Sequence, residues 1–130
     1  MRGICCLRPQ VPRLSENIRV ISIVGRFLEH SRIFSFTNGG ESEVYCGSAD
    51  WMPRNLFERC EVVFPVAAPD LASRLQNEIL GSYLKDNTKA RLLQPDGTYV
   101  RAPRTGPRFI AQEHLMEVAE RQAGELSKQA

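Results

Sequence analysis

From residue 69 onward the hydrophobic positions fall into a helical rhythm. Leu71, Leu75, Ile79 and Tyr83 recur at four-residue spacing, with Ala72, Leu80 and Leu84 beside them, so one side of a helix is apolar. Pro69 suits the first turn, where a missing backbone N–H costs nothing. A second helix is predicted over Phe109–Leu126, with Ile110, Leu115, Val118 and Ala119 on one face. Before residue 69 the pattern differs. Arg2–Leu7 and Asn17–Val24 are short runs rich in aliphatic and β-branched side chains and read as strands, with a short helix through Arg26–Glu29 after the second. Ser31–Phe36 alternates, Asn38-Gly39-Gly40 turns, and Glu43–Gly47 returns, which predicts a hairpin with a slightly long loop. Glu61–Val66 is a further apolar strand that ends near Pro65. Lys89–Leu93 and Thr98–Arg101 flank the turn residues Pro95-Asp96-Gly97 and predict a second hairpin. Arg8–Glu16, with Pro9 and Pro12, and Trp51–Asn55 read as loops. Strands come first and helices later, so the fold class is α+β, a sheet covered by at least two helices. Its 130 residues suffice for one compact domain spanning 1–130. The first strand opens abruptly at Met1, which predicts a partial domain truncated at its N-terminus.

Composition narrows this picture a little. Hydrophobic residues make up 42% and charged residues 25%, ordinary for a soluble globular protein. The longest apolar run, Val62 to Pro69, is short and interrupted by proline, so no membrane span is expected. Ile4-Cys5-Cys6-Leu7 is too short for a signal peptide before Arg8 and Pro9, and a cytoplasmic location follows as the default. The formal net charge is +2, but its seventeen cations are fourteen Arg and three Lys. Arginine's planar fork binds phosphate bidentately and stays charged, which suits a polyanionic ligand; a GC-rich genome produces the same bias. Residues 85–108 are basic and residues 109–130 acidic, a pattern that solvated surfaces commonly show. The four cysteines, Cys5, Cys6, Cys46 and Cys60, form no CxxC pair and read as buried free thiols. No spacing suits a metal site.

Chemistry has few candidates. Of the two histidines, His114 lies mid-helix among Glu113, Glu117 and Glu120, a solvated setting. His30 lies just before a strand, and Arg32 follows two residues on. In extended chain those two side chains share a face, offering an imidazole and a guanidinium together, the pair that protonates and neutralises a phosphoryl oxygen. A partly buried structural histidine fits the same triplet. Gly47-Ser48 at a strand end, followed by Ala49-Asp50-Trp51-Met52-Pro53-Arg54-Asn55, can present backbone N–H groups and a hydroxyl to an anion, or form a simple turn.

Longer motifs carry more information. Arg2-Gly3-Ile4-Cys5-Cys6-Leu7-Arg8-Pro9, then Leu14-Ser15-Glu16-Asn17-Ile18-Arg19-Val20, then Ser22-Ile23-Val24-Gly25-Arg26-Phe27-Leu28-Glu29-His30-Ser31-Arg32-Ile33-Phe34 appear in order. Asn38-Gly39-Gly40, the Val44–Asn55 stretch, and Asn87–Leu93 with Asp96-Gly97 continue the series. Together they resemble the C-terminal domain of bacterial ATP-dependent polyphosphate kinases, nearly without gaps from residue 2 to about 101; residues 103–130, which hold the C-terminal helix, match less distinctively.

The resemblance implies a phospholipase D-like mixed sheet flanked by helices. It implies an ATP-polyphosphate phosphotransferase that moves the terminal phosphate of ATP reversibly onto inorganic polyphosphate, through a phosphohistidine outside this chain. By motif position His30 is the expected catalytic residue, an acid or electrostatic stabiliser near the bridging oxygen. Arg2 and His30 are the expected ATP-binding residues; Arg32, Arg59 and Glu61 are weaker candidates for phosphate or nucleotide contact. ATP enters with Mg²⁺, whose binding residues lie outside the chain, and no metal site is expected within it. The implied partners are ATP and ADP, polyphosphate, the preceding catalytic domains of the same enzyme and, in the full enzyme, further copies of it, with no nucleic acid. The implied location is the cytoplasm, with a peripheral membrane association of the parent enzyme. The isolated fragment is expected to be inactive. An alternative from another class is a non-catalytic domain that binds polyphosphate or nucleotide, or that assembles with the catalytic half. A third reading, a phospholipase-like nuclease or lipase, is weakened by departures from that pattern. Arg32 replaces a lysine, Thr37 stands where an acid is usual, and Trp51 occupies an asparagine position. Arg13 and Cys46 replace a glycine and an aliphatic residue, as drift in loop and core.

Overall fold

A computed structural model of the chain describes residues 7–129. The chain packs as two compact units: a central unit, Leu28–Gly81, and a flanking unit built from the residues up to Phe27 and from Ser82 on. The first predicted strand, with Arg2, Cys5 and Cys6, lies outside the described residues apart from Leu7.

In the flanking unit, β1 (Ile21–Ile23) pairs antiparallel with β5 (Ala90–Leu93), and β5 with β6 (Tyr99–Arg101), giving the order β1-β5-β6. The β5–β6 turn forms where Pro95-Asp96-Gly97 predicts it. Asp96 Oδ1 accepts from the Thr98 N–H at 2.9 Å and from its hydroxyl at 2.7 Å, closing the turn on the carboxylate side. These bonds hold the Asp96 carboxyl below its usual range. The long helix α4 spans Ala111–Gln129. At its start sits Asp86, only 4% exposed. Its Oδ1 accepts from the backbone N–H groups of Thr88, Lys89 and Ala90, and its Oδ2 from that of Ala111. A buried carboxylate is tolerated because four donors replace its water, one of them at the positive end of α4. Ala90, Leu93, Ile110 and Ala111 are buried here. His114 is half-buried, its ring centroid 5.1 Å from that of Phe109, rather than fully solvated.

The predicted helix at Arg26–Glu29 does not form; the chain only bends at Arg26–Phe27. The reason is distant in sequence. Gln112 of α4 accepts from the Phe27 N–H at 3.1 Å and donates to the Phe27 carbonyl at 2.9 Å, so both backbone groups that a helix turn would use are taken.

The central unit holds the second sheet. β2 (Ile33–Asn38) and β3 (Glu41–Gly47) form the predicted hairpin, with Asn38 opposite Glu41. The connection is therefore shorter than expected, Gly39-Gly40 alone, with φ of +60° and +105°. Two consecutive left-handed residues are what a tight hairpin needs, and glycine supplies them without a Cβ clash. β4 (Val63–Pro65) pairs antiparallel with β3 as the edge strand, a place that tolerates proline. Pro53 starts a short helix, α1 (Pro53–Phe57), within the segment expected to be a loop. The predicted amphipathic helix begins as α2 (Pro69–Ser73), widens into a π-helical stretch over Arg74–Leu80, and ends as α3 (Gly81–Lys85), in which the chain passes into the flanking unit.

The α+β class holds. Among the described residues it is built as two three-stranded antiparallel sheets rather than one sheet. Cys46 is half-buried and Cys60 is exposed, so Cys60 is not the buried thiol its neighbours suggested.

Candidate functional site

The period-two pleat of β2 and β3 sorts the central unit's side chains onto two faces. Phe34, Phe36, Tyr45, Trp51 and Val63 line one, a shallow hollow of about 240 Å³. Phe34 and Trp51 stack there with centroids 5.7 Å apart and 15° between planes, although Trp51 remains 64% exposed. On the other face Ile33, Cys46 and Phe64 meet Leu75 and Ile79 of the π-helical stretch around an open cavity of about 300 Å³. Leu75 and Ile79, part of the four-residue rhythm, thus form one wall.

His30 and Arg32 stand at this cavity, on the segment leading into β2. Both line it, together with Ser31 between them. His30 is exposed, and no described residue hydrogen-bonds its imidazole. Arg32 is held differently. Its Nε and one terminal nitrogen each lie 3.0 Å from Asp50 Oδ1, and its other terminal nitrogen donates to the His30 carbonyl at 2.7 Å. Its guanidinium is therefore committed within the central unit rather than left as an open fork.

Behind this pair the Gly-Ser loop is pinned. The Gly47 N–H donates to the Arg32 carbonyl at 3.3 Å, and the Ser48 N–H to the Val62 carbonyl at 2.9 Å. A Cβ on Gly47 would lie 2.7 Å from that same Val62 oxygen, so the close approach requires glycine. The Ser48 hydroxyl accepts from the Val62 N–H at 3.1 Å and donates to Glu61 Oε2, while Asn55 Nδ2 donates to Glu61 Oε1 at 2.7 Å. Both Glu61 oxygens are thus engaged. The Ser48 hydrogen bond, then that from Asn55, holds the Glu61 carboxyl below its ordinary range, with Arg59 and Arg32 adding positive charge nearby. Asn55 is 4% exposed, and its amide oxygen has no partner among the described residues. Among the sequence candidates, His30, Arg32 and Glu61 fall in this one unit, Arg59 is exposed beside Glu61, and Arg2 lies outside the described residues. Among the described residues no cluster of three His, Cys, Asp or Glu side chains is placed to hold a metal ion. Asp50 and Asn55 were not singled out as site residues. Their partners lie 18 and 6 residues away in sequence, and no local spacing rule reaches that far.

Residues 1–112 match the family model of the polyphosphate kinase C-terminal domain 2. The chain belongs to the polyphosphate kinase family. It is 64% identical to a polyphosphate kinase of Synechocystis over 107 residues, covering 82% of this chain and 15% of that protein. It is 58% identical to one from Pseudomonas putida over 120 residues, covering 90% and 16%. The crystal structure of polyphosphate kinase from Porphyromonas gingivalis matches with a TM-score of 0.84 at 41% identity, covering 93% of this chain and 18% of that one. The chain thus spans about 15–16% of the length of these two curated relatives. The motif series read from the sequence identified this family, and the segment matched is the C-terminal one that it pointed to. No described helix is long and apolar enough to cross a membrane.

Proposed function

We propose that this chain is the C-terminal catalytic segment of an ATP-polyphosphate phosphotransferase, with residues 1–130 acting as one functional domain. The enzyme moves the terminal phosphate of ATP reversibly onto inorganic polyphosphate, through a phosphohistidine held outside this chain. His30 serves as the acid or electrostatic stabiliser near the bridging oxygen, and Arg2 neutralises phosphate charge. The observation that carries this reading is His30 itself: exposed at an open cavity, with its backbone anchored and its imidazole free of described partners. Magnesium arrives with ATP as part of the substrate. Glu61 and Arg32, already bonded within the unit, then shape the site, and Arg59 remains the freer cation for phosphate.

The catalytic domains that precede this segment in the family are the natural partners of its apolar surface. Trp51 at 64%, Phe57 at 83% and Val62 at 63% exposure are large apolar side chains that such partners would cover. Assembly into homo-oligomers in the cytoplasm, with a peripheral membrane association, completes the reading. The test is a chimera in which this chain replaces the corresponding segment of the Synechocystis enzyme, assayed for ATP-dependent polyphosphate synthesis. Synthesis by the chimera, and no acid-labile label on the isolated chain after incubation with γ-labelled ATP, is expected. Stable labelling of His30 or His114 in the isolated chain overturns the division of labour. A chimera that folds and binds polyphosphate yet makes none favours the non-catalytic binding or assembly domain.

A further inference from the structure

We propose that Asp50 is a positioning residue for His30, acting through Arg32; this rests on the reading of His30 as the reacting acid. Asp50 touches neither His30 nor any reacting atom. Its Oδ1 accepts from the Arg32 Nε–H at 3.0 Å and lies 3.0 Å from one terminal nitrogen of the same guanidinium, whose other terminal nitrogen donates to the His30 carbonyl at 2.7 Å. The result is a relay from the Asp50 carboxylate through the Arg32 plane to the His30 backbone.

Three features make this a device rather than a surface ion pair. The Arg32 and Asp50 side chains are only 21% and 33% exposed, so solvent screens them less than a fully exposed pair. Asp50 is itself held, since its carbonyl accepts from the Met52 N–H at 2.8 Å and its neighbour Ala49 is buried. His30 and Ser31 precede β2 and make no strand bonds of their own, so the Arg32 bond supplies the restraint that a ladder supplies elsewhere. A proton donor displaced by a fraction of an ångström loses much of its rate advantage, because transfer depends steeply on donor–acceptor geometry. Lysine cannot replace Arg32 here. It offers a point charge without the fixed plane that links two acceptors on opposite sides, which gives the departure from the phospholipase D-type lysine a physical role.

The rival role for Arg32 is direct phosphate contact, and the two separate in kinetics. In the chimeric enzyme, Asp50→Ala and Arg32→Lys should each lower kcat about tenfold or more with KM for ATP within about threefold. The double variant should be no worse than the worse single one, because both break one relay. Asp50→Asn, which keeps an acceptor oxygen, should recover part of the loss. Direct phosphate contact predicts instead that Arg32→Lys raises KM while Asp50→Ala, which frees the guanidinium, leaves kcat intact. That result overturns the proposal, as does a double variant whose losses multiply. His30→Ala, run in parallel, tells the two failures apart. If it turns over normally, the reading of His30 is wrong; if it is dead while Asp50→Ala runs at full speed, only the positioning role falls. Independently of activity, the Arg32 Nε–H of the 130-residue chain should exchange slowly with solvent by NMR and lose that protection in Asp50→Ala. Exchange as fast as that of the exposed Arg59 in the unmodified chain overturns the proposal outright.

Discussion

The two units of this chain spend their polar groups in opposite ways. In the flanking unit they are turned inward: Asp86, Gln112, Ser22, Ser82 and Ser15 are all buried, and Asp86 and Gln112 satisfy backbone groups that would otherwise be orphaned. In the central unit only Asn55 among polar residues is buried. Its remaining network of Arg32, Asp50, Ser48 and Glu61 lies nearer the surface, and Arg32 within it bonds the His30 carbonyl. A buried, saturated network resists change and stabilises the fold; a network at the rim of a cavity can orient a reacting group and meet a ligand. The division reads as scaffold and site.

The sharpest way to break that comparison is to truncate one residue from each unit and ask what is lost. His30→Ala in the central unit should leave the thermal midpoint unchanged and cut ATP-dependent synthesis by at least about a hundredfold, within the range for a lost general acid. His30→Gln keeps a hydrogen-bond donor but cannot pass a proton, and should be no better than about tenfold above Ala. Variants that melt early yet turn over normally once folded would make His30 structural.

Asp86→Ala in the flanking unit should do the reverse. It removes the shared acceptor of four backbone N–H groups, two of them buried, and the anion at the start of α4, at a cost on the order of 3 kcal/mol. For a domain of this size that lowers the melting temperature by roughly 10 °C. Turnover per folded molecule should stay within about twofold of the unmodified enzyme. An equal loss of turnover from both variants would erase the distinction between scaffold and site.

A smaller effect is expected in acid. Glu43 and Glu61 in the central unit, and Asp96 in the flanking unit, have carboxyls held below their ordinary values, chiefly by hydrogen bonds from Asn38, Ser48 and Thr98 respectively. Because the folded pKa is the lower one, the unfolded chain takes up protons first as pH falls. The stability from these groups is therefore complete above the ordinary carboxylate range of about 4 and is lost as pH drops through the folded values. Melting temperature should be nearly flat from pH 7 to about 5 and fall below it, and Glu61→Gln should flatten part of that acid slope. An unchanged slope would mean that the Ser48–Glu61–Asn55 cluster does not persist in solution. The smallest effect belongs to the Arg108–Glu113 pair, 3.3 Å apart with both side chains more than half exposed. Arg108→Ala should change stability by no more than about 0.5 kcal/mol, with that change vanishing in high salt.

How much of this was legible beforehand follows the range of the interactions. The β5–β6 hairpin, the β2–β3 hairpin and the helix from Pro69 rest on turn residues and periodicity within a few positions, and sequence reading placed all three. It mistook the length of the Gly39-Gly40 turn by counting Asn38 into the loop, where pairing with Glu41 extends the strand instead. The motif series also sufficed to recognise the family, because long, ordered motifs carry more information than any single residue. His30 and Arg32 were candidates on local grounds, and both stand at the same cavity.

What stayed hidden was every feature set by contacts far apart in the chain. A helix at Arg26–Glu29 was a fair local expectation, and it failed because a residue 85 positions away takes both backbone groups of Phe27. Arg32, a candidate phosphate contact from the sequence, is bonded to Asp50 18 residues on. Glu61, a candidate contact from the sequence, accepts from Ser48 and Asn55 on its two oxygens. Local propensity and periodicity are sums over neighbours, so the sequence alone determined most of the elements and the family, and it singled out His30 as a candidate. Which polar groups are already satisfied is a property of three-dimensional packing. Only the tertiary structure decided which charges remain free to act and which serve to hold the others in place.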